Sequence, residues 1–237
     1  MAKVALDQLC RTRPVRAIYT IPTVHNPLGW VLDREQRDRL AALARAHNCL
    51  IIEDGTYAFL ESSPPPPLQA LAPERTCYVA GLSKNVAPGL RFGFAVLPDR
   101  HLEAATSGLR TVAWGAPGVV TALATSWIAD GTVTSLEEDR REDAAARQDI
   151  ARDALAGLDI TAHPVSYMVW LALGPHQRPD HVAAVLAEKG ILVSTADAFA
   201  TGPHRPRALR LALATPPLDE LGAALRCLKD AIETIAP

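Results

Sequence analysis

Two almost uninterrupted apolar runs constrain the fold of this chain most: CLIIED at positions 49–54 and TCYVAGL at positions 76–82. Runs of this composition are typical of strands buried in a parallel sheet. A predicted helix over 34–47, with Asp33 as its N-cap, separates the first run from an earlier strand at 16–21. Strands and helices that alternate in this way predict an α/β fold with a mainly parallel sheet.

The C-terminal part of the chain has a different order of elements. A long charged helix is predicted over 134–157, and an amphipathic helix over 217–235 closes the chain. Strand-like and helix-like segments mix between these two helices, which predicts a compact α+β lobe. We therefore expect residues 1–130 to form part of a large domain, and residues 131–237 to form a connecting helix and a small domain.

Composition excludes several classes of protein. The chain has 24 Lys and Arg against 26 Asp and Glu, a net charge of -2, so we expect no direct nucleic-acid binding. Aromatic residues make up only 5%, which argues against stacking platforms for single strands. No apolar stretch approaches the roughly 18 residues of a transmembrane helix, and the N-terminus lacks the apolar core of a signal peptide. We expect no membrane association.

Cysteines and histidines give no sign of disulfides or metals. The four cysteines are far apart and form no C-x-x-C pair, which is typical of a reducing compartment and predicts a cytoplasmic location. The seven histidines form no H-x-x-x-H pair and no cluster with cysteine. The sequence therefore predicts no metal site.

Lys84 is the lysine whose surroundings suggest chemistry. It follows the second apolar run within GLSKNVAPGLRFG at 81–93, and a lysine at the mouth of a sheet can lose hydration and form a Schiff base. Asp54 ends the first run, and ligands of open α/β sheets bind at such strand ends. From position alone, a surface lysine and a turn aspartate are the alternatives. A nucleotide site would need the loop G-x-x-x-x-G-K-[ST], which the sequence lacks.

Three motifs in order resemble the large domain of the fold-type I pyridoxal-phosphate aminotransferases. They are HNPLG at 25–29, EDGTY at 53–57 and GLSKNVAPGLRFG at 81–93. The later segments GILVSTADAF and ALRLALA resemble the small domain of the same family, and the branch that contains MocR proteins and 2-aminoadipate aminotransferases is the most similar. The resemblance implies the fold-type I transferase fold, with a partial large domain and an α+β small domain.

The resemblance implies a role for each matching residue. Lys84 would be the catalytic residue that holds pyridoxal 5'-phosphate as an internal aldimine and then moves a proton at the substrate α-carbon. Asp54 would pair with the pyridinium nitrogen and keep it protonated. Asn26 and Tyr57 would donate hydrogen bonds to the phenolate oxygen of the cofactor.

Phosphate and substrate contacts follow from the same resemblance. Ser83 and Arg91 would bind the cofactor phosphate, and Arg210 would bind the substrate α-carboxylate through its planar guanidinium. Arg205 and Arg207 compete with Arg210 for this role, and its strand position favours Arg210. Taken singly, each residue also has a structural alternative. Asn26 could hold a turn, and Tyr57 could pack at the edge of the core. Ser83 could cap a helix, and Arg91 and Arg210 could be surface arginines.

Two departures separate this chain from the family pattern. Family members carry well over a hundred residues before the asparagine motif, including a phosphate-binding turn, a ring-stacking aromatic residue and dimer contacts. Without that region we expect sheet edges and apolar faces to be uncovered. The second departure is Gly81, where the family often has a hydroxyl residue that binds phosphate. A truncated gene model, a genuine remnant and a piece that assembles with another chain are all open explanations.

Three functions follow from the resemblance. The first is an aminotransferase that moves an amino group between an amino acid and a 2-oxo acid, as a homodimer. The second is a domain that senses pyridoxal phosphate or an amine within a MocR/GntR-type transcriptional regulator. The third is an inactive truncated remnant.

Overall fold

The structure, a computed structural model, describes residues 2–203 and 205–235. Its strands are β1 (Ala17–Thr20), β2 (Leu50–Asp54), β3 (Thr76–Gly81), β4 (Gly93–Val96), β5 (Ile160–Ala162), β6 (Met168–Ala172), β7 (Ser194–Thr195) and β8 (Ala208–Ala212). Its α-helices are α1 (Ala2–Thr12), α2 (Arg34–Ala46), α3 (Leu68–Leu71), α4 (Asp99–Ala113), α5 (Gly118–Ala129), α6 (Thr132–Ala154), α7 (Pro179–Glu188) and α8 (Leu218–Thr234).

The chain divides into two compact units, each with its own sheet. The first unit comprises the residues up to 23 together with 31–138, and the second comprises 24–30 together with the residues from 139 onward. The division falls inside helix α6. The domain limits 1–130 and 131–237 stay a prediction.

The sheet of the first unit has the order β1-β2-β3-β4. Strands β1, β2 and β3 are parallel, and β4 pairs antiparallel with β3. This arrangement confirms the predicted α/β fold with a mainly parallel sheet. Its core on the α2 side contains Ala44, Cys49, Ile51 and Leu68, all fully buried.

Helix α2 begins where the sequence predicted, at the N-cap Asp33. The Asp33 carboxylate accepts a hydrogen bond from the Gln36 backbone N–H at 2.7 Å, and Gln36 Oε1 accepts one from the Asp33 N–H at 3.1 Å. This reciprocal capping box satisfies two backbone donors that a helix start otherwise leaves unpaired.

A buried ionic network holds α2 against β2. Arg37 and Glu53 are 1% and 2% exposed, and Arg37 Nη1 lies 3.8 Å from Glu53 Oε1. Arg37 donates to the carbonyls of Leu32, Pro66 and Pro22 and to the Thr23 hydroxyl.

Glu53 accepts hydrogen bonds from the backbone N–H groups of Leu68 and Gln69 at the start of α3. Burial raises the pKa of Glu53, while these two N–H groups and Arg37 act in the opposite direction.

In the second unit, the C-terminal part of α6, helices α7 and α8 and four strands pack around one apolar core. Its sheet has the order β5-β6-β8-β7, and every neighbouring pair is antiparallel. Leu171 on β6, Leu186 on α7, Leu209 on β8 and Leu228 on α8 meet in that core and are buried. The predicted α+β lobe therefore has a core of its own.

Several elements differ from the sequence prediction. Helix α4 was not predicted, because Thr106, Gly108 and Thr111 are poor helix formers within it. The proline-rich segment 61–71 ends in the short helix α3. The strand within GILVSTADAF is limited to β7, Ser194–Thr195.

The first unit exposes apolar surface and two sheet edges among the described residues. Strands β1 and β4 lie at the ends of the sheet order, and β4 is exposed along its whole length. Phe94 on β4 is 46% exposed, and Val112 and Trp114 at the end of α4 are 87% and 94% exposed. Apolar exposure of this kind marks interaction surfaces or aggregation-prone surfaces.

We expect the chain to self-associate through this surface as its concentration rises. Replacing Val112 and Trp114 by lysine should lower the mass measured by light scattering coupled to size-exclusion chromatography, because the charges oppose burial of this patch. The thermal midpoint should stay unchanged, since both side chains are already exposed. An unchanged mass in the double variant would show that association uses another surface.

Candidate functional site

Asp54 and Lys84 lie at the carboxyl ends of neighbouring parallel strands. Asp54 is the last residue of β2, and β2 pairs with β3, which ends at Gly81. The buried Leu82 follows, and Ser83 and Lys84 occupy the turn after it. This is the edge of an α/β sheet at which ligands bind. Lys84 is exposed, so its side chain does not lose hydration in this structure as its sequence position had suggested.

Tyr57 and Arg91 belong to the same unit. Tyr57 lies in the turn that follows Asp54, just before a short 3-10 helix, Ala58–Leu60. Arg91 is exposed and has a left-handed backbone conformation, with φ of 49°, between another 3-10 turn and β4. The first unit therefore contains five of the predicted site residues: Asp54, Tyr57, Ser83, Lys84 and Arg91.

Two donors hold the Asp54 carboxylate. The Tyr19 hydroxyl on β1 donates to Asp54 Oδ2 at 2.6 Å, and the Thr56 backbone N–H donates to Oδ1 at 2.9 Å. Partial burial, together with the hydrogen bond to Asp54 and its negative charge, raises the pKa of Tyr19 to about 12. Tyr19 was missed from the sequence, although alternation along β1 puts it on the same sheet face as Asp54.

Two glycines of the motifs lie in close contacts, Gly55 against the Tyr78 side chain and Gly81 against backbone. A Cβ at Gly55 would lie 2.2 Å from the Tyr78 hydroxyl oxygen, so the phenol packs directly on the turn that follows Asp54. A Cβ at Gly81 would lie 2.8 Å from the Phe92 carbonyl oxygen. A side chain at position 81 would therefore clash with the backbone just before β4.

The HNPLG loop belongs to the second unit. It is closed by the His25 N–H donating to the Trp30 carbonyl at 3.0 Å, and the two rings stack with centroids 4.2 Å apart. Gly29 has φ of 70°, and a Cβ there would lie 2.5 Å from the His163 backbone nitrogen. Within this loop, Asn26 Oδ1 is buried without a hydrogen-bond partner. Burial also lowers the pKa of His25.

Arg210 lies on β8, between β6 and β7. Its Nη2 donates to Ser194 Oγ at 3.0 Å, and its guanidinium carbon lies 5.5 Å from the centroid of the Phe199 ring. Its Nε is buried without a hydrogen-bond partner. A buried guanidinium N–H that lacks an acceptor is costly, so a ligand that supplies one is favoured.

The competing arginines have different surroundings. Arg205 is 65% exposed and forms an ion pair with Asp197 at 3.1 Å. Arg207 is exposed and donates to the Pro175 carbonyl. Neither has an orphaned buried nitrogen among the described atoms, which distinguishes Arg210 from both.

Membrane-spanning helices and metal-binding clusters are absent from the described part of the chain. No helix there is long and apolar enough to cross a membrane. No group of three or more His, Cys, Asp or Glu side chains is arranged to hold a metal ion among residues 2–203 and 205–235.

Comparison with known proteins gives similar regulators and similar enzymes. The chain is 27% identical, over 99% of its length, to the uncharacterised HTH-type transcriptional regulator YdeF of Bacillus subtilis. It is 27% identical, over 92% of its length, to the HTH-type pyridoxine biosynthesis transcriptional regulator PdxR of Corynebacterium glutamicum. It spans 51% of YdeF and 49% of PdxR, about half the length of these relatives.

The fold is also that of solved aminotransferases. Kynurenine aminotransferase of Pyrococcus horikoshii superposes on all of this chain with a TM-score of 0.92 and 20% identity, and the match covers 61% of that enzyme. The family model described as aminotransferase class I and II matches residues 3–228. The fold-type I transferase fold predicted from the motifs is confirmed, and the chain belongs to the class I and II aminotransferase family.

Proposed function

We propose that this chain carries the lysine-bearing part of a pyridoxal-phosphate-dependent aminotransferase site. The observation that supports this most is the placement of Asp54 and Lys84 at the carboxyl ends of the adjacent parallel strands β2 and β3. A carboxylate and a primary amine at one sheet edge match the ring nitrogen and the aldehyde of this cofactor. The chain is about half as long as the relatives named above, so the reaction of the whole protein is part of the proposal.

The residues present fit the cofactor. Lys84 Nζ would hold it covalently, and Asp54 would pair with its ring nitrogen. Ser83 and Arg91 would hold its phosphate without help from the glycine at position 81. When bound, pyridoxal phosphate supplies an electron sink for chemistry at the α-carbon of an amino acid.

The remaining predicted residues are proposed to act on the cofactor oxygen and the substrate. Asn26 through its amide Nδ2–H and Tyr57 through its hydroxyl would donate to the phenolate oxygen. Arg210 would bind the substrate α-carboxylate, because its buried Nε lacks an acceptor. After the amino acid is bound, Lys84 Nζ would move a proton at the α-carbon. The substrates would be an amino acid and a 2-oxo acid, and we propose a homodimer as the working form.

Arg210→Ala is expected to weaken amino-acid binding about tenfold to a hundredfold. A hydrogen bond to a charged group contributes about 1.5–3 kcal/mol, and each 1.4 kcal/mol is tenfold in affinity. Pyridoxal-phosphate affinity should change less than twofold. Spectral titration of the cofactor-loaded protein with amino acids measures both constants. Arg205→Ala is the matched control, since Arg205 forms an exposed ion pair with Asp197. Equal losses of cofactor and amino-acid affinity in Arg210→Ala would remove it from this role.

A second candidate function is cofactor or amine sensing. It is favoured by YdeF and PdxR, which match nearly all of this chain and are named as HTH-type transcriptional regulators. In this case the same residues would bind the cofactor, and the chain would release no 2-oxo acid.

One experiment separates the two functions. The protein is loaded with pyridoxal phosphate, freed of excess cofactor and incubated with a panel of L-amino acids. For an aminotransferase we expect the visible band to be replaced by the near-ultraviolet band of the aminated cofactor, with an equal amount of 2-oxo acid released. A saturable spectral change without any 2-oxo acid would instead favour sensing.

A further inference from the structure

Tyr19 reaches the proposed site from the neighbouring edge strand. In the parallel register of β1 and β2, Tyr19 is opposite Ile52, two residues before Asp54. Side chains alternate along a strand, so Tyr19, Ile52 and Asp54 emerge on the same sheet face. The Tyr19 hydroxyl then spans the distance to the strand end and donates to Asp54 Oδ2 at 2.6 Å.

The two hydrogen bonds of Asp54 come from independent elements. Thr56 N–H holds Oδ1 from the turn that follows β2, and Tyr19 holds Oδ2 from β1. An aspartate held only by its own turn can still rotate, whereas a second donor on another strand fixes the plane of the carboxylate. A carboxylate oxygen has two lone pairs, so each oxygen keeps one for a further donor.

We propose that Tyr19 is a positioning residue that orients Asp54 toward the ring nitrogen of bound pyridoxal phosphate. This rests on the proposed function, in which Asp54 pairs with that nitrogen. The Tyr19 pKa of about 12 means that the hydroxyl keeps its proton throughout the neutral range and remains a donor. Tyr19 is 60% exposed, so its ring contributes little core packing that would otherwise explain its position.

Tyr19→Phe tests this role because it keeps the ring and removes only the donor. We expect the dissociation constant for pyridoxal phosphate to rise about tenfold, equivalent to 1.4 kcal/mol. The visible band of the lysine-bound cofactor should also change its pH dependence, since the charge at the ring nitrogen is held less well. A merely structural tyrosine would shift the thermal midpoint and leave the pH dependence of the band unchanged.

A double-mutant cycle shows whether the effect passes through Asp54. Adding Tyr19→Phe to Asp54→Asn should cost little further affinity, because the acceptor that Tyr19 orients is already altered. Tyr167→Phe is the matched control. Tyr167 has a pKa likewise raised to about 12, yet its hydroxyl donates to the Arg140 carbonyl, and both residues belong to the second unit.

Each outcome decides between the alternatives. If Tyr19→Phe binds the cofactor as tightly as the unaltered chain and keeps the same pH profile, the positioning role is wrong and the proposed function stands. Tighter binding by Tyr19→Phe would also overturn it, because the hydroxyl would then occupy the position of the ring nitrogen. If the unaltered protein attaches no cofactor at Lys84, the proposed function is wrong and the inference falls with it.

Discussion

Lys84→Ala is expected to abolish covalent attachment of pyridoxal phosphate while leaving the free energy of unfolding almost unchanged. Lys84 is an exposed residue in the turn after β3, and surface substitutions usually change stability by no more than about 0.5 kcal/mol. Loss of the amine removes the only atom of this residue that can bond to the cofactor aldehyde. Cofactor reduced onto the protein with borohydride and located by peptide mass spectrometry gives the measurement.

The control for Lys84→Ala is Lys189→Ala. Lys189 is also exposed, and it follows helix α7 in the second unit, outside the proposed site. It should leave the labelled peptide and the extent of labelling unchanged. The assignment would be contradicted if the label in the unaltered protein mapped to a lysine other than Lys84, or if Lys84→Ala were labelled to the same extent.

Glu53→Ala is expected to lower the free energy of unfolding by about 3–5 kcal/mol. Removing one partner of a buried ion pair leaves the other charge uncompensated, and Arg37 is only 1% exposed. The variant also strips the Leu68 and Gln69 N–H groups of their acceptor. Urea unfolding followed by circular dichroism gives the measurement, because the change should appear as a lower midpoint at an unchanged slope.

Two comparisons make the Glu53 result specific. Glu53→Gln keeps one acceptor oxygen and should lose less stability than the alanine variant. Glu35→Ala removes a largely exposed partner of Arg39 on the same helix, and surface ion pairs of this kind contribute little. Equal midpoints for Glu53→Ala and Glu35→Ala would show that the buried network does not stabilise the first unit.

The sequence predicted the strands and the helix start that leave a local pattern of residues. The apolar runs around Ile51 and Val79 predicted parallel strands, and Asp33 predicted the start of α2, because burial and capping leave local signals. Asp54 ends the first run and Lys84 comes shortly after the second, so their placement at the same edge of the sheet could be expected. The motif resemblance then assigned them a family, which the match over residues 3–228 confirmed.

Contacts between residues far apart in the sequence could not be predicted in the same way. Tyr19 donates to Asp54, 35 positions later, and Arg37 meets Glu53 only because α2 packs on β2. Such pairs depend on strand register and helix packing, which no single segment encodes. The orphaned Nε of Arg210 is likewise visible only once β6, β7 and β8 are in place, although its position on a strand had already favoured it over Arg205 and Arg207.

A visible-absorption titration of the purified protein with pyridoxal phosphate shows whether this chain holds the cofactor at Lys84. We expect a saturable band of lysine-bound cofactor at one equivalent per chain, absent in Lys84→Ala under the same conditions. A folded protein that shows only the spectrum of free cofactor at every concentration would contradict it.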